Sequence, residues 1–87
     1  MNRLLIENYI KNIKEKDIYE FGLKNNIELT EKDVDILYHY LINNWQDLLY
    51  GNYRGVFSEL ESHIDKDKFL KIKNLFDFYF NKYQNLL

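Results

Sequence analysis

Two histidines each stand four residues after a carboxylate: Asp35 before His39, and Glu59 before His63. Residues four apart share one side of a helix. Two facing helices would then offer two nitrogens and two carboxylates, a donor set that suits zinc. The bland alternative is two exposed pairs, each steadying its own helix by about 0.2–0.5 kcal/mol. No other His-rich or carboxylate-rich run supports the metal, so neither a metal nor a cofactor is assigned. The hydroxyl nucleophiles besides the tyrosines are Thr30, Ser58 and Ser62. Ser62 adjoins His63, but neighbouring helical positions point about 100° apart and cannot form a dyad. Cysteine is absent, which removes thiolate nucleophiles, thiolate zinc sites and disulfides. The run Gly51-Asn52-Tyr53-Arg54-Gly55 has the look of a phosphate cradle at a helix start. It lacks the glycine spacing and lysine of a P-loop, so a turn with a surface arginine fits it better. The residues describe a protein that is not an enzyme.

Nucleic-acid binding is the more serious alternative. Asp17–Asn25, the turn at 26–29 and the helix expected over Thr30–Asn43 have the lengths of a helix-turn-helix. The reading helix would begin Thr30-Glu31-Lys32-Asp33-Val34-Asp35. Its three acids, taken as exposed, would repel the phosphates that supply most of the affinity. Charge is nonetheless uneven along the chain. Residues 1–14 sum to +2, residues 15–65 to −7, and residues 66–87 to +3. Lys66, Lys68, Lys71 and Lys73 concentrate the basic end. They form either an anion patch or, the simpler reading, an answer to the acidic middle. Nucleic acid is therefore not the expected partner.

The elements that must position these groups are helices. Leu4, Leu5, Ile6, Tyr9, Ile10 and Ile13 make an apolar stripe over 2–14. Asp17 and Glu20 have capping-box spacing for a second helix carrying Ile18, Phe21, Gly22 and Leu23. Asn25-Asn26 supplies a left-handed stop. Ile27-Glu28-Leu29 is too short to be more than a connector. Thr30 caps a third helix with Val34, Leu37, Tyr38, Leu41 and Trp45 in register, expected to fray at Asn43-Asn44. Gln46 to Gly51 reads as a loop, with Leu48–Tyr50 tucked beneath the domain. Asn52 caps a fourth helix bearing Tyr53, Val56, Phe57, Leu60 and Ile64, and Asp65 caps a fifth that runs toward the C-terminus.

Ile27-Glu28-Leu29-Thr30 before a helix, Arg54 in the fourth helix, and the tail from Lys71-Ile72-x-x-Leu75-Phe76 through Lys82-Tyr83-x-x-Leu86-Leu87 resemble the YqfT-like proteins. These are small proteins of low-GC Gram-positive bacteria that carry a domain of unknown function. The resemblance covers nearly the whole chain, although the last helix here is richer in aromatics. It implies a bacterial, soluble, all-helical protein, and brings no activity, cofactor or catalytic residue with it.

With 87 residues, no proline, three glycines and 17% aromatic residues, the chain is expected to fold as one all-α domain. The expected fold is a compact bundle of four to five helices without a sheet. Its core is expected to hold Ile6, Ile10, Ile13 and Phe21 from the first half, with Val34, Leu37 and Leu41. Val56, Phe57, Leu60, Ile72, Phe76 and Tyr79 complete it. No apolar run reaches the ~18 residues of a membrane span and no signal peptide is visible, so the expected location is the cytoplasm.

One surplus remains. A packed helix needs an apolar stripe about 100° wide. Ile72, Leu75, Phe76, Tyr79, Tyr83 and Leu86 already fill it in the last helix. Phe69, Phe80 and Leu87 lie at its edge, and Phe78 lies well away. Either the N-terminal helix or the Leu48–Tyr50 segment covers this second face, or it binds another protein or a second copy as a homodimer. On the latter reading the interface residues are Phe69, Phe78, Phe80, Tyr83 and Leu87.

Overall fold

Thr30 opens the longest helix. Its Oγ1 accepts the Asp33 N–H at 3.1 Å, and its own N–H donates to the Asp33 carboxylate at 2.9 Å. Both ends of a capping box are thus closed. A computed structural model describes residues 3–83, with the side chains of 3–82, as five helices. These are α1 (Arg3–Asn12), α2 (Glu15–Lys24), α3 (Glu31–Tyr50), α4 (Tyr53–Glu61) and α5 (Lys66–Tyr83). There is no strand among the described residues. The all-α bundle expected from the periodicity is the observed fold, within 32 × 24 × 22 Å. No described helix is long and apolar enough to cross a membrane.

Other turns follow the same capping chemistry. Asn52 Oδ1 accepts the Gly55 N–H at 3.1 Å and starts α4. Asp65 Oδ2 accepts from the Asp67 and Lys68 amides at 3.1 and 3.3 Å and starts α5. Asn26 adopts the left-handed conformation, φ 57°, that an asparagine tolerates at a helix stop. Ile27 N–H then closes the end of α2 on the Gly22 carbonyl at 2.9 Å. α2 differs from the expected start. It begins at Glu15, and Asp17 accepts the Lys14 N–H at 2.8 Å instead of acting as the cap. A carboxylate one turn inside a helix reaches back as readily as one at its cap reaches forward.

α3 also runs further than expected. It passes through Asn43-Asn44 and absorbs the segment read as a loop, ending at Tyr50. Asn44 Nδ2 donates to the Tyr40 carbonyl at 3.0 Å, so its polar group is met inside the helix. With no glycine or proline before Gly51, nothing stops the helix earlier. Tyr50 is met at α3's far end by Arg3 of α1, whose guanidinium sits 4.9 Å from the ring centre.

α3 is the axis of the molecule, packing against α1, α2 and α4, while α4 carries α5. Phe57, Leu60, Ile64 and Phe69 form one buried cluster; Ile27, Leu29 and Val34 form another. Leu37 and Ile72 touch both. The connector is therefore core: Ile27 is 2% exposed, one of the most deeply buried side chains described. Phe21 and Tyr79, expected in the core, are exposed instead, at 42% and 41%. Both line the open side of a cavity. Leu86 and Leu87, and the side chain of Tyr83, lie outside the described residues.

Candidate functional site

The aromatic surplus divides between two faces of α5. Phe69 is 4% exposed, so it belongs to the core and not to the exposed edge where its spacing put it. Phe57 of α4 meets Phe69 and Phe76, with ring centres 6.1 and 5.0 Å apart. Phe80 stacks on Phe76 at 5.6 Å and lies 5.6 Å from Tyr53, which makes it half-buried packing. Tyr53 and Phe57, four apart on α4, are the rings that receive them. That i, i+4 aromatic pair is visible in the sequence, but only the packing of α4 on α5 shows that Phe69, Phe76 and Phe80 meet it.

Phe78 is different. It is 59% exposed, on the outward side of α5 with Leu70 two turns earlier at 43%. Lys71 and Asn74 share this side and are exposed. Lys82 Nζ sits 5.9 Å from the Phe78 ring centre, and the Tyr79 ring meets Phe78 edge-on at 5.3 Å. The result is an outer stripe of two large apolar groups, with Lys71 and Lys82 beside them and the exposed Asp67 one turn before Leu70.

The second feature is a cavity of about 340 Å³ between α1 and α2 on one side and α4 and α5 on the other. Its floor includes the buried Ile27, Phe57 and Leu60. Ile18, Leu37, Leu41, Ile72 and Leu75 wall it. Exposed Tyr9, Asp17, Phe21 and Tyr79 rim its mouth. Among the described residues, no lysine, arginine or histidine lines it. Burial and then the nearby Glu59 carboxylate push the phenol of Tyr40, also in the lining, above its usual 10.0.

The residues singled out for chemistry are engaged elsewhere. His39 Nδ1 lies 2.9 Å from the Asp35 carbonyl and 3.4 Å from its carboxylate, in the open. Glu59 turns to Tyr40, and the His63 ring centre is 6.1 Å from that of Tyr40. Among the described residues, no three of His, Asp and Glu gather as a metal site would require. Ser62 Oγ donates to the Glu59 carbonyl at 2.8 Å. The Gly51–Gly55 turn is occupied by the Asn52 cap, and Arg54 lies 6.0 Å from the Tyr53 ring centre.

The basic cluster divides in two. Lys68 Nζ binds Asp33 at 2.8 Å and Lys73 binds Asp77 at 3.2 Å, while Lys66 and Lys71 are exposed. Asp33 is therefore buried and not, as expected, one of three acids displayed at the start of the third helix. Glu31 and Asp35 do remain exposed there. No family model, curated protein or solved structure matches the chain.

Proposed function

We propose that this chain is a non-catalytic interaction or adaptor protein that docks an acidic, apolar-faced helix of a partner protein on the outer stripe of α5. The observation that carries this reading is Phe78, 59% exposed, with Leu70 on the same side and Lys71 and Lys82 beside them. Exposed aromatic anchors on a helix are the side chains that interfaces desolvate. The net charge of +3 over residues 66–87 favours an acidic partner. Of the residues first chosen, Phe78 stays in this interface, while Phe69 and Phe80 support it from the inner side. The setting proposed is the bacterial cytoplasm. Kinship with the YqfT-like proteins belongs to the same proposal and rests on the residues that carry the resemblance.

A photo-crosslinking side chain at position 78, compared with one at exposed Ser58 on α4, tests the stripe. Expected is an adduct with one acidic protein from position 78 only, lost in Lys71→Glu. An adduct with a second copy, accompanied by a dimer in sedimentation, would replace the hetero-partner with self-association. No adduct and a strict monomer would sink the reading. A second reading, a helix-turn-helix regulator, gains from the withdrawal of Asp33 into its pair with Lys68, which removes one acid from the phosphate-facing turn. Tight DNA binding that weakens steeply with salt would favour it.

A further inference from the structure

The cavity meets the α5 stripe at Tyr79, whose ring touches Phe78, and carries its own inference. We propose that it is a binding site for one neutral apolar small molecule, an alkyl chain or aromatic ring system of about ten to sixteen carbon atoms. Size sets the carbon count. An apolar protein cavity of ~150 Å³ stays dry and takes one benzene, and this one is about 340 Å³. The volume also falls within the range of small-molecule pockets, which are mostly apolar with a few polar groups at one end.

The lining sets the chemistry. All five helices and the connector contribute walls, and the described lining is aliphatic or aromatic except for Asp17 and the tyrosine hydroxyls. A carboxylate or phosphate head would enter with no cation in the lining to meet it, at the cost of burying or crowding an unpaired charge. Asp17 at the rim adds a negative charge there. Its Oδ2 already accepts the Lys14 N–H, so the acid is held in place. A hydroxyl head suits this rim, since the Asp17 carboxylate can accept and the exposed Tyr9 hydroxyl can accept or donate a hydrogen bond.

The geometry selects a small molecule over a docked helix. A single ~5.4 Å turn of a helix ~10–12 Å across with its side chains occupies more than about 400 Å³, which exceeds the about 340 Å³ available. The ligand enters instead past the exposed rim, where Phe21 and Tyr79 lie.

The test uses the whole chain and the neutral fluorophore N-phenyl-1-naphthylamine. Expected is saturable one-to-one binding, displaced by 1-decanol at least about tenfold better than by decanoate at pH 8. Decanol should also raise the Tm saturably, as a ligand of the folded state alone must. Leu41→Phe fills one wall and Leu75→Phe the other. Each should weaken probe binding about tenfold or more by occupying the ligand's volume. Non-saturable probe uptake, decanoate binding as well as decanol, or full binding in both filled variants would overturn the proposal. The wild-type arms decide even where neither variant folds. A cavity closed to the probe yet shielded when a partner docks would assign it to a partner's side chain, and would likewise overturn it. Because these arms leave position 78 untouched, the cavity and the α5 stripe can fail separately.

Discussion

Lys68 Nζ lies 2.8 Å from Asp33 Oδ2 and ties the first turn of α5 to the first turn of α3 across 35 residues of chain. The same carboxylate accepts the Thr30 N–H. One acid therefore completes a local helix cap and a long-range ion pair, so the placement of α5 depends on how α3 begins. Burial pushes the Asp33 carboxyl up. The Lys68 ammonium and the Thr30 backbone and hydroxyl outweigh it and hold the carboxyl below its usual 3.8. The hydrogen bond to Asp33 raises Lys68 above 10.5 against the opposing effect of burial, with the charges of Asp33, Asp65 and Glu28 adding to the rise.

The pair should produce a stability plateau bounded on both sides. Asp33 is depressed in the folded state, so its contribution is full above the unfolded value near 3.8 and is lost as pH falls through the lower folded value. Lys68 is raised, so its contribution is full below 10.5 and is lost as pH rises through the higher folded value. Urea unfolding across pH should show the wild type losing stability at both limits. Lys68→Met should flatten the alkaline limb and shrink the acid one, because Lys68 is the chief group holding Asp33 down, and Asp33→Asn should flatten both. Thr30→Ala should remove about 1 kcal/mol at neutral pH through the cap alone.

Gly22 is set by closeness, not by backbone angle. A Cβ there would stand 2.8 Å from Leu29 Cδ1 and 2.9 Å from the Ile27 carbonyl oxygen. The leucine can shift, but the carbonyl is backbone and also accepts no displacement without moving a buried connector. Gly22→Ala should therefore lower stability by about 1–3 kcal/mol, although alanine in an open helix position would add about 1 kcal/mol. Thermal unfolding of the single variant checks the sign.

Two phenylalanines on one helix should behave oppositely. Phe69→Ala empties a buried site against Phe57 and should cost about 3–5 kcal/mol. Phe78→Ser, at an exposed position, should stay within about 0.5 kcal/mol of wild type. Equal losses in chemical denaturation would mean that Phe78 is covered.

The stripes of the helices and the caps at Thr30 and Asn52 were legible because each is a local relation, settled within about one turn. The ends were less so. Asn43-Asn44 resembles a stop, but an asparagine whose amide returns to the carbonyl four residues back remains inside the helix. Ile27 and Leu29 showed no helical period, so spacing could not mark them as core. Periodicity places Phe69 and Phe80 on a face without saying which helix meets that face. Tyr53 and Phe57 do, and only the packing of α4 on α5 reveals it. The cavity is a remainder left when five helices meet, and no residue pattern encodes a remainder.

The hollow is open at its mouth, so its apolar walls meet water when it is empty. A bound molecule takes those walls out of water, and removing apolar surface from water lowers the heat capacity. Decanol binding should therefore grow more exothermic as the temperature rises, which titration calorimetry at several temperatures would follow. Leu41→Phe, which covers part of the same wall, should shrink that slope. On these terms the hollow is a patch of surface folded inward, and its signature is calorimetric.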